Sequence, residues 1–245
     1  MKKKFIFIGD IDSINLEIVN KSHKILKNRV KYILLGNIKD IYKYLKKIQS
    51  KLDINEIINP LDFGNYNPNS LNVFNIENIS KKKYMNLINQ IHICNYLSNI
   101  LKIDLVTLPI KKALFKKEME FTGMTEYLAK INKKNTFMLM YGEKFSVIPI
   151  TTHINLHDVK KFLNKKYLDR LLSQINIQIQ KKIYKLNFRS IKFLCYNPHC
   201  GESNTIGPED KTIAKSISKF KKISGPYSAD SAFKSINHNN ILFIS

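Results

Sequence analysis

Two hydrophobic rhythms alternate along this chain. Lys4–Ile8 is a short apolar run closed by Gly9-Asp10, and it predicts a buried strand. Ile14–Leu26 places Ile14, Ile18, Ile25 and Leu26 at helical spacing. Val30–Leu35 predicts a second strand, stopped by Gly36. Ile38–Leu52 predicts a helix with Ile41, Tyr44, Leu45 and Ile48 on one face. Asn59–Ser70 is rich in Asn, Pro and Gly and reads as a loop before a strand at Leu71–Ile76. Ser80 is placed to cap the next helix, along which Tyr84, Leu87, Ile88, Ile91, Cys94, Ser98 and Leu101 recur every three or four residues. That helix leads into a strand at Ile103–Leu108. Strands alternating with helices predict an α/β protein with a mostly parallel sheet.

The second half has another texture. Thr136–Tyr141 and Lys144–Thr151 flank Gly142-Glu143 and predict a hairpin. Asp158–Lys185 predicts one long helix with a stripe of Leu168, Leu171, Leu172, Ile175, Ile179 and Ile183. Arg189–Tyr196 predicts a strand, and Pro208–Phe220 a helix with Pro in its first turn. Ile241–Ile244 predicts a last strand. No helix follows it, so one face of that strand is expected to lie uncovered.

Composition changes the picture in one respect. The net charge of +22 invites a nucleic-acid reading. Yet only Arg29, Arg170 and Arg189 are arginine, and Ile, Lys and Asn together make up 102 of 245 residues. All three have A/T-rich codons, so base composition accounts for the charge better than a phosphate-binding face, which would favour arginine. The lysines are scattered over nearly every helix, as on a solvated surface. Cys94, Cys195 and Cys200 are too few and too spread for a disulfide framework. No apolar run reaches the ~20 residues of a membrane span, and the N-terminal run is too short for a signal peptide. A cytoplasmic protein without membrane or nucleic-acid partners is expected.

Candidate chemistry gathers where apolar runs end, which is where open α/β sheets place their sites. Thr151-Thr152-His153 follows one run, and Asn197-Pro198-His199-Cys200-Gly201-Glu202 follows another. Gly123-Met124-Thr125-Glu126 opens a short helix. Two histidines from separate strand ends suit a divalent metal, and equally suit simple loop hydrogen bonds. His153 and His157 are four apart, but in a strand-to-loop context that does not favour a shared metal. His23, His92 and His238 read as surface or packing residues. Cys200 is open to two readings, thiolate ligand or small apolar side chain. Asp230 reads as a ligand, a base or a cap. Neither a dinucleotide GxGxxG nor a GxxxxGK[ST] loop occurs.

Four segments in this order resemble 4-hydroxythreonine-4-phosphate dehydrogenases of vitamin B6 synthesis. They are Phe121-Thr122-Gly123-Met124-Thr125-Glu126-Tyr127-Leu128-Ala129, Thr151 to Val159, Asn197 to Glu202 with Gly207 and Glu209, and Gly225 to Phe233. Gly9-Asp10 with Glu17 resembles a worn N-terminal glycine motif, and Val106 to Lys112 a strand-end motif. The resemblance implies a two-lobed α/β/α fold like isocitrate and isopropylmalate dehydrogenases, with a first lobe over 1–115 and a second over 116–245. It implies a homodimer with a site between lobes. The implied reaction is NAD- or NADP-dependent oxidation of the small phosphorylated amino acid 4-phosphooxy-L-threonine. The 3-keto acid then decarboxylates to 3-amino-2-oxopropyl phosphate. It implies His153 and His199 as ligands of a divalent metal (zinc, magnesium or cobalt), Met124 and Thr125 in substrate binding, and Asp230 and Lys112 in catalysis.

The chain also departs from that pattern. Met124 stands where the family has histidine, and the N-terminal motif keeps few glycines. The family's third metal histidine, in a Tyr-His-Asp-Gln motif, would fall just beyond Ser245. The last part of the fold is therefore expected to be lacking and activity impaired. The alternatives are an inactive remnant that only dimerises and, less favoured, a basic nucleic-acid binder.

Overall fold

The computed structural model describes residues 2–61, 63–115, 118–119, 121–181, 184–234 and 240–245. The chain divides into two units, Met1–Phe121 and Thr122–Ser245. His238 and Ile183 lie outside the described residues.

The first unit is built on a parallel sheet of β1 (Lys2–Phe7), β2 (Val30–Gly36), β3 (Ile54–Glu56), β4 (Leu71–Asn75) and β5 (Asp104–Thr107). The strand order is β3-β4-β2-β1-β5, with Phe5 opposite Ile33 on one side and Leu105 on the other. Side chains alternate across the sheet. Ile6 and Ile8 join Leu34, Val73 and the helices α1 (Asn15–Leu26) and α2 (Ile38–Lys47) in one core. Helix α3 (Lys83–Leu101) packs against β1 and β5, burying Leu87, Ile91 and Cys94.

Two expectations fail here for local reasons. Helix α1 buries Leu16, Val19 and His23, while Ile14, Ile18 and Ile25 face solvent. His23 takes an inward place because both ring nitrogens find partners, the Tyr32 hydroxyl at 2.6 Å and the Pro68 carbonyl at 3.0 Å. Ser80 does not cap α3, whose N-cap is Lys82; the Ser80 hydroxyl accepts from the Lys82 N–H in a local turn instead.

The second unit is built on β6 (Phe145–Ile148), β7 (Ser190–Leu194), β8 (Ile223–Tyr227) and β9 (Ile241–Ile244), all parallel, in the order β6-β9-β7-β8. The helices are α4 (Met124–Ile131), α5 (Val159–Phe162), α6 (Lys165–Ile179), α7 (Glu209–Ile217) and α8 (Ala229–Ala232). The expected hairpin shrinks to one antiparallel bridge between Met140 and Val147, because β6 pairs along its length with β9. The expected single helix over Asp158–Lys185 is broken. A 3-10 turn at Leu156–Asp158 and α5 precede α6, whose N-cap Asn164 accepts from the Tyr167 N–H at 2.9 Å. An asparagine whose side chain donates to the Lys161 carbonyl and accepts from the Tyr167 N–H ends one helix and starts the next.

Strand β9 is not the uncovered strand expected. It lies inside the sheet and all four residues are buried. Leu242 and Ile244 meet the α6 and α7 side with Leu168, Leu172, Ile175 and Ile213. Ile241 and Phe243 meet Leu194 and Ala232 on the other. There Phe243 packs against Phe233 (4.7 Å between centroids) and Phe145 (5.9 Å). Each such large apolar side chain contributes roughly 1.5–3 kcal/mol when fully buried. No helix among the described residues is long and apolar enough to cross a membrane.

Candidate active site

Glu126 organises one end of the second unit. It sits in the first turn of α4, where a carboxylate suits the helix dipole. Thr152 and His153 follow β6. The Thr152 hydroxyl donates to Glu126 Oε1 at 2.8 Å, and His153 Nδ1 lies 2.9 Å from the same oxygen. Two adjacent residues, 26 and 27 positions after Glu126, are thus tied to one of its oxygens. Burial pushes the Glu126 carboxyl up, but its own backbone N–H, His153 and Thr152 together bring it below its ordinary value. Its other oxygen, Oε2, is buried without a hydrogen-bond partner among the described residues. Gly123 makes room for this arrangement. A Cβ there would stand 2.6 Å from Oε2 and 3.1 Å from His153 Cε1. Met124 and Thr125 occupy the same first turn of α4. Thr125, Glu126, Thr151 and Thr152 line a cavity of about 310 Å³.

A second cluster follows β7. Asp210, buried at the start of α7, accepts from the N–H of Tyr196 (2.7 Å), the N–H of Asn197 (3.1 Å) and the Asn197 amide (2.9 Å). Glu209 accepts from the Asn197 amide at 3.1 Å and pairs with Lys160 at 2.6 Å. Those two partners hold the Glu209 carboxyl down at about 2. The chain then makes a left-handed turn, with φ from 43° to 77° over His199 to Ser203. Such a turn costs on the order of 1–2 kcal/mol for each residue that is not glycine. It presents His199, whose Nδ1 lies 3.9 Å from Asp230 Oδ2. Asp230, at the start of α8, is held below its ordinary value by the Ser228 hydroxyl first, and also by His199.

The first unit holds Lys112, exposed on a 3-10 turn beyond β5. It also holds the Gly9-Asp10 turn, locked to the β5 end by Asn15, whose amide donates to the carbonyls of Ile8 (2.9 Å) and Pro109 (2.7 Å). Gly9 has φ +69°, and a Cβ would meet the Pro109 oxygen at 2.4 Å.

A family model described as pyridoxal phosphate biosynthetic protein PdxA matches residues 14–244. The chain belongs to the PdxA family. A 4-hydroxythreonine-4-phosphate dehydrogenase of Sulfurihydrogenibium is 30% identical over 246 residues, covering 95% of this chain and 76% of its own length. One of Campylobacter fetus is 31% identical over 244 residues, covering 95% and 74%. The crystal structure of the Klebsiella pneumoniae 4-hydroxythreonine-4-phosphate dehydrogenase shares the fold. Its TM-score is 0.82 at 20% identity, over 100% of this chain and 81% of that one.

For a member of the PdxA family the question is whether these residues fit a metal. The donor types are right: two imidazoles and carboxylates. Their placement is not. The structure pairs His153 with Glu126 and His199 with Asp230. Among the described residues no three His, Cys, Asp or Glu side chains come together to hold an ion. Burial first, then Cys195, pushes the Cys200 thiol up to about 12, and its Sγ donates to the Pro226 carbonyl at 3.6 Å.

The sequence places Glu126 and Thr152 in two of the candidate clusters without giving either a role, and it does not single out Asp210. Nothing in the sequence pointed to the bond between Glu126 and His153.

Proposed function

We propose that this chain oxidises 4-phosphooxy-L-threonine at C3 with NAD or NADP. The β-keto acid formed then loses carbon dioxide to give 3-amino-2-oxopropyl phosphate. The observation that carries the reading is the Glu126–Thr152–His153 cluster, a hydrogen-bonded acid–histidine pair at the carboxyl end of a parallel strand. Family membership supports it, since relatives in the family bear the dehydrogenase name.

His153 is assigned to the substrate hydroxyl, taking its proton as the C3 hydrogen leaves as hydride. Thr125, beside it on α4, is assigned to substrate contact together with Met124. Asp230 is assigned to the substrate ammonium, as an exposed carboxylate kept charged by Ser228. Lys112 is assigned to proton return when the enol of the product collapses. The nucleotide is assigned to a cavity of about 590 Å³ in the first unit, where β1, β2 and β4 end, lined by Lys43, Lys47, Lys81 and Lys83 and also by Asp10, Asp12 and Asp40. When bound, the nicotinamide supplies the hydride acceptor. The residues described do not fit a complete divalent-metal site, and no step here depends on one. A homodimer is part of the proposal, checked by analytical ultracentrifugation.

That same want of three converging donors favours a second reading, a fold kept without turnover. A steady-state assay with 4-phosphooxy-L-threonine and each nicotinamide, with and without added zinc or magnesium, separates the two. Substrate-dependent reduction of the nicotinamide supports the dehydrogenase. Its absence under every condition supports the remnant.

A further inference from the structure

We propose that a second cavity of about 590 Å³, in the second unit, binds a small aromatic anion. This site is separate from the function proposed above and stands or falls without it.

The cavity is lined by α6 and by the irregular segment that follows α4. Its apolar wall is Phe137, Leu139, Ile179 and Leu186, which belong to the core of the second unit or pack against it. Tyr184 adds a second ring at the rim and is 55% exposed. A flat ring gains both from such a wall and from contact with other rings. Gln174 and Gln178 stand one turn apart on α6 and are half-buried against the same cavity. Among the described residues neither carboxamide makes a hydrogen bond, so their donors and acceptors are left to water or a ligand.

Charge selects the sign of the ligand. Lys133 and Lys134 line the cavity, and no residue lining it is acidic. Neither lysine pairs with a carboxylate among the described residues. The end of α4 delivers them together. Lys133 turns at φ +51° as its N–H closes on the Lys130 carbonyl, and the Lys134 N–H closes on the Ala129 carbonyl at 3.0 Å. The first-unit cavity is the contrast, since its lysines share their lining with Asp10, Asp12 and Asp40, and Lys83 pairs with Asp12. Two ammonium groups at the edge of an apolar wall suit an anion joined to a ring.

The test uses phenyl phosphate as the probe and exploits the absence of tryptophan from the chain. Tyr184→Trp in the full chain puts one tryptophan at this cavity. Lys134 and Phe137 also line the smaller cavity beside Glu126 and Thr152, but residue 184 does not, so the signal is local. Phenyl phosphate should change the emission along a one-site curve that saturates at millimolar concentration or below. Phenol lacks the anion and inorganic phosphate lacks the ring, and each should bind about tenfold more weakly or worse. Lys133→Glu with Lys134→Glu should weaken phenyl phosphate by about tenfold or more. Lys21→Glu with Lys24→Glu, a pair of exposed lysines on α1, should leave it within about twofold. Calorimetric titration of the wild type with the three ligands should give the same order without the reporter. The absence of a saturable change overturns the proposal. So does phenol or inorganic phosphate binding as tightly as phenyl phosphate, and so does an equal loss in the two double variants, which would assign the attraction to overall charge.

Discussion

Asp210 carries more structural weight than its sequence position suggests. Its carboxylate satisfies two consecutive backbone N–H groups and one amide, and so holds the strand end from which His199 departs. Asp210→Ala should orphan the Tyr196 and Asn197 N–H groups at about 1–3 kcal/mol each. Urea denaturation checks this, and a midpoint equal to wild type would contradict it. His23 makes a prediction in pH. Burial is the largest influence on it and pushes its pKa below the ordinary value, against the Pro68 carbonyl bond. A depressed histidine stabilises the fold above its unfolded pKa, and that contribution is lost as pH falls through the folded value. Wild-type stability should therefore decline as pH drops below about 6.5, and His23→Gln should remove that part of the slope. Both residues show why single side chains were the least legible level. The sequence left His23 open between surface and packing and singled out nothing at Asp210, because the partners of each lie on other elements.

Elements were read with more success, and their failures have a shared cause. Strands β1, β2, β4, β7 and β9 announce themselves as β-rich apolar runs because both faces are buried. Strand β3, at Ile54–Glu56, is three residues long and sits where a loop was about to begin, so no period could form. The break before α6 was missed because the apolar stripe begins only at Leu168, beyond it, while the polar Asn164 decides the boundary. Asn164→Ala should cost about 1 kcal/mol, read as a lowered Tm, and no change would mean that α6 needs no cap. The left-handed turn over His199 to Ser203 was equally silent, since only Gly201 within it is a residue that favours positive φ. The Asp210 and Glu209 network anchors Tyr196 and Asn197 just before it. The order of the polar clusters at strand ends was the legible part of the site. The Glu126 bridge between two of them was not.

At the scale of the molecule the +22 charge and the fold speak to different things. The charge predicts weak, sequence-blind attraction to polyanions. Retention on DNA should vanish between roughly 50 and 200 mM salt, and sequence-selective binding that survives higher salt would revive the nucleic-acid reading. The fold and the family instead direct attention to the carboxyl end of β6. In the function proposed above, turnover passes through His153. The most direct measurement is 4-phosphooxy-L-threonine-dependent reduction of NAD or NADP by the wild type beside a folded His153→Gln variant, with released carbon dioxide counted against reduced cofactor. Equal amounts of the two products in the wild type, with turnover lost in the variant, is the predicted result. No substrate-dependent reduction, or equal rates in both proteins, would contradict it.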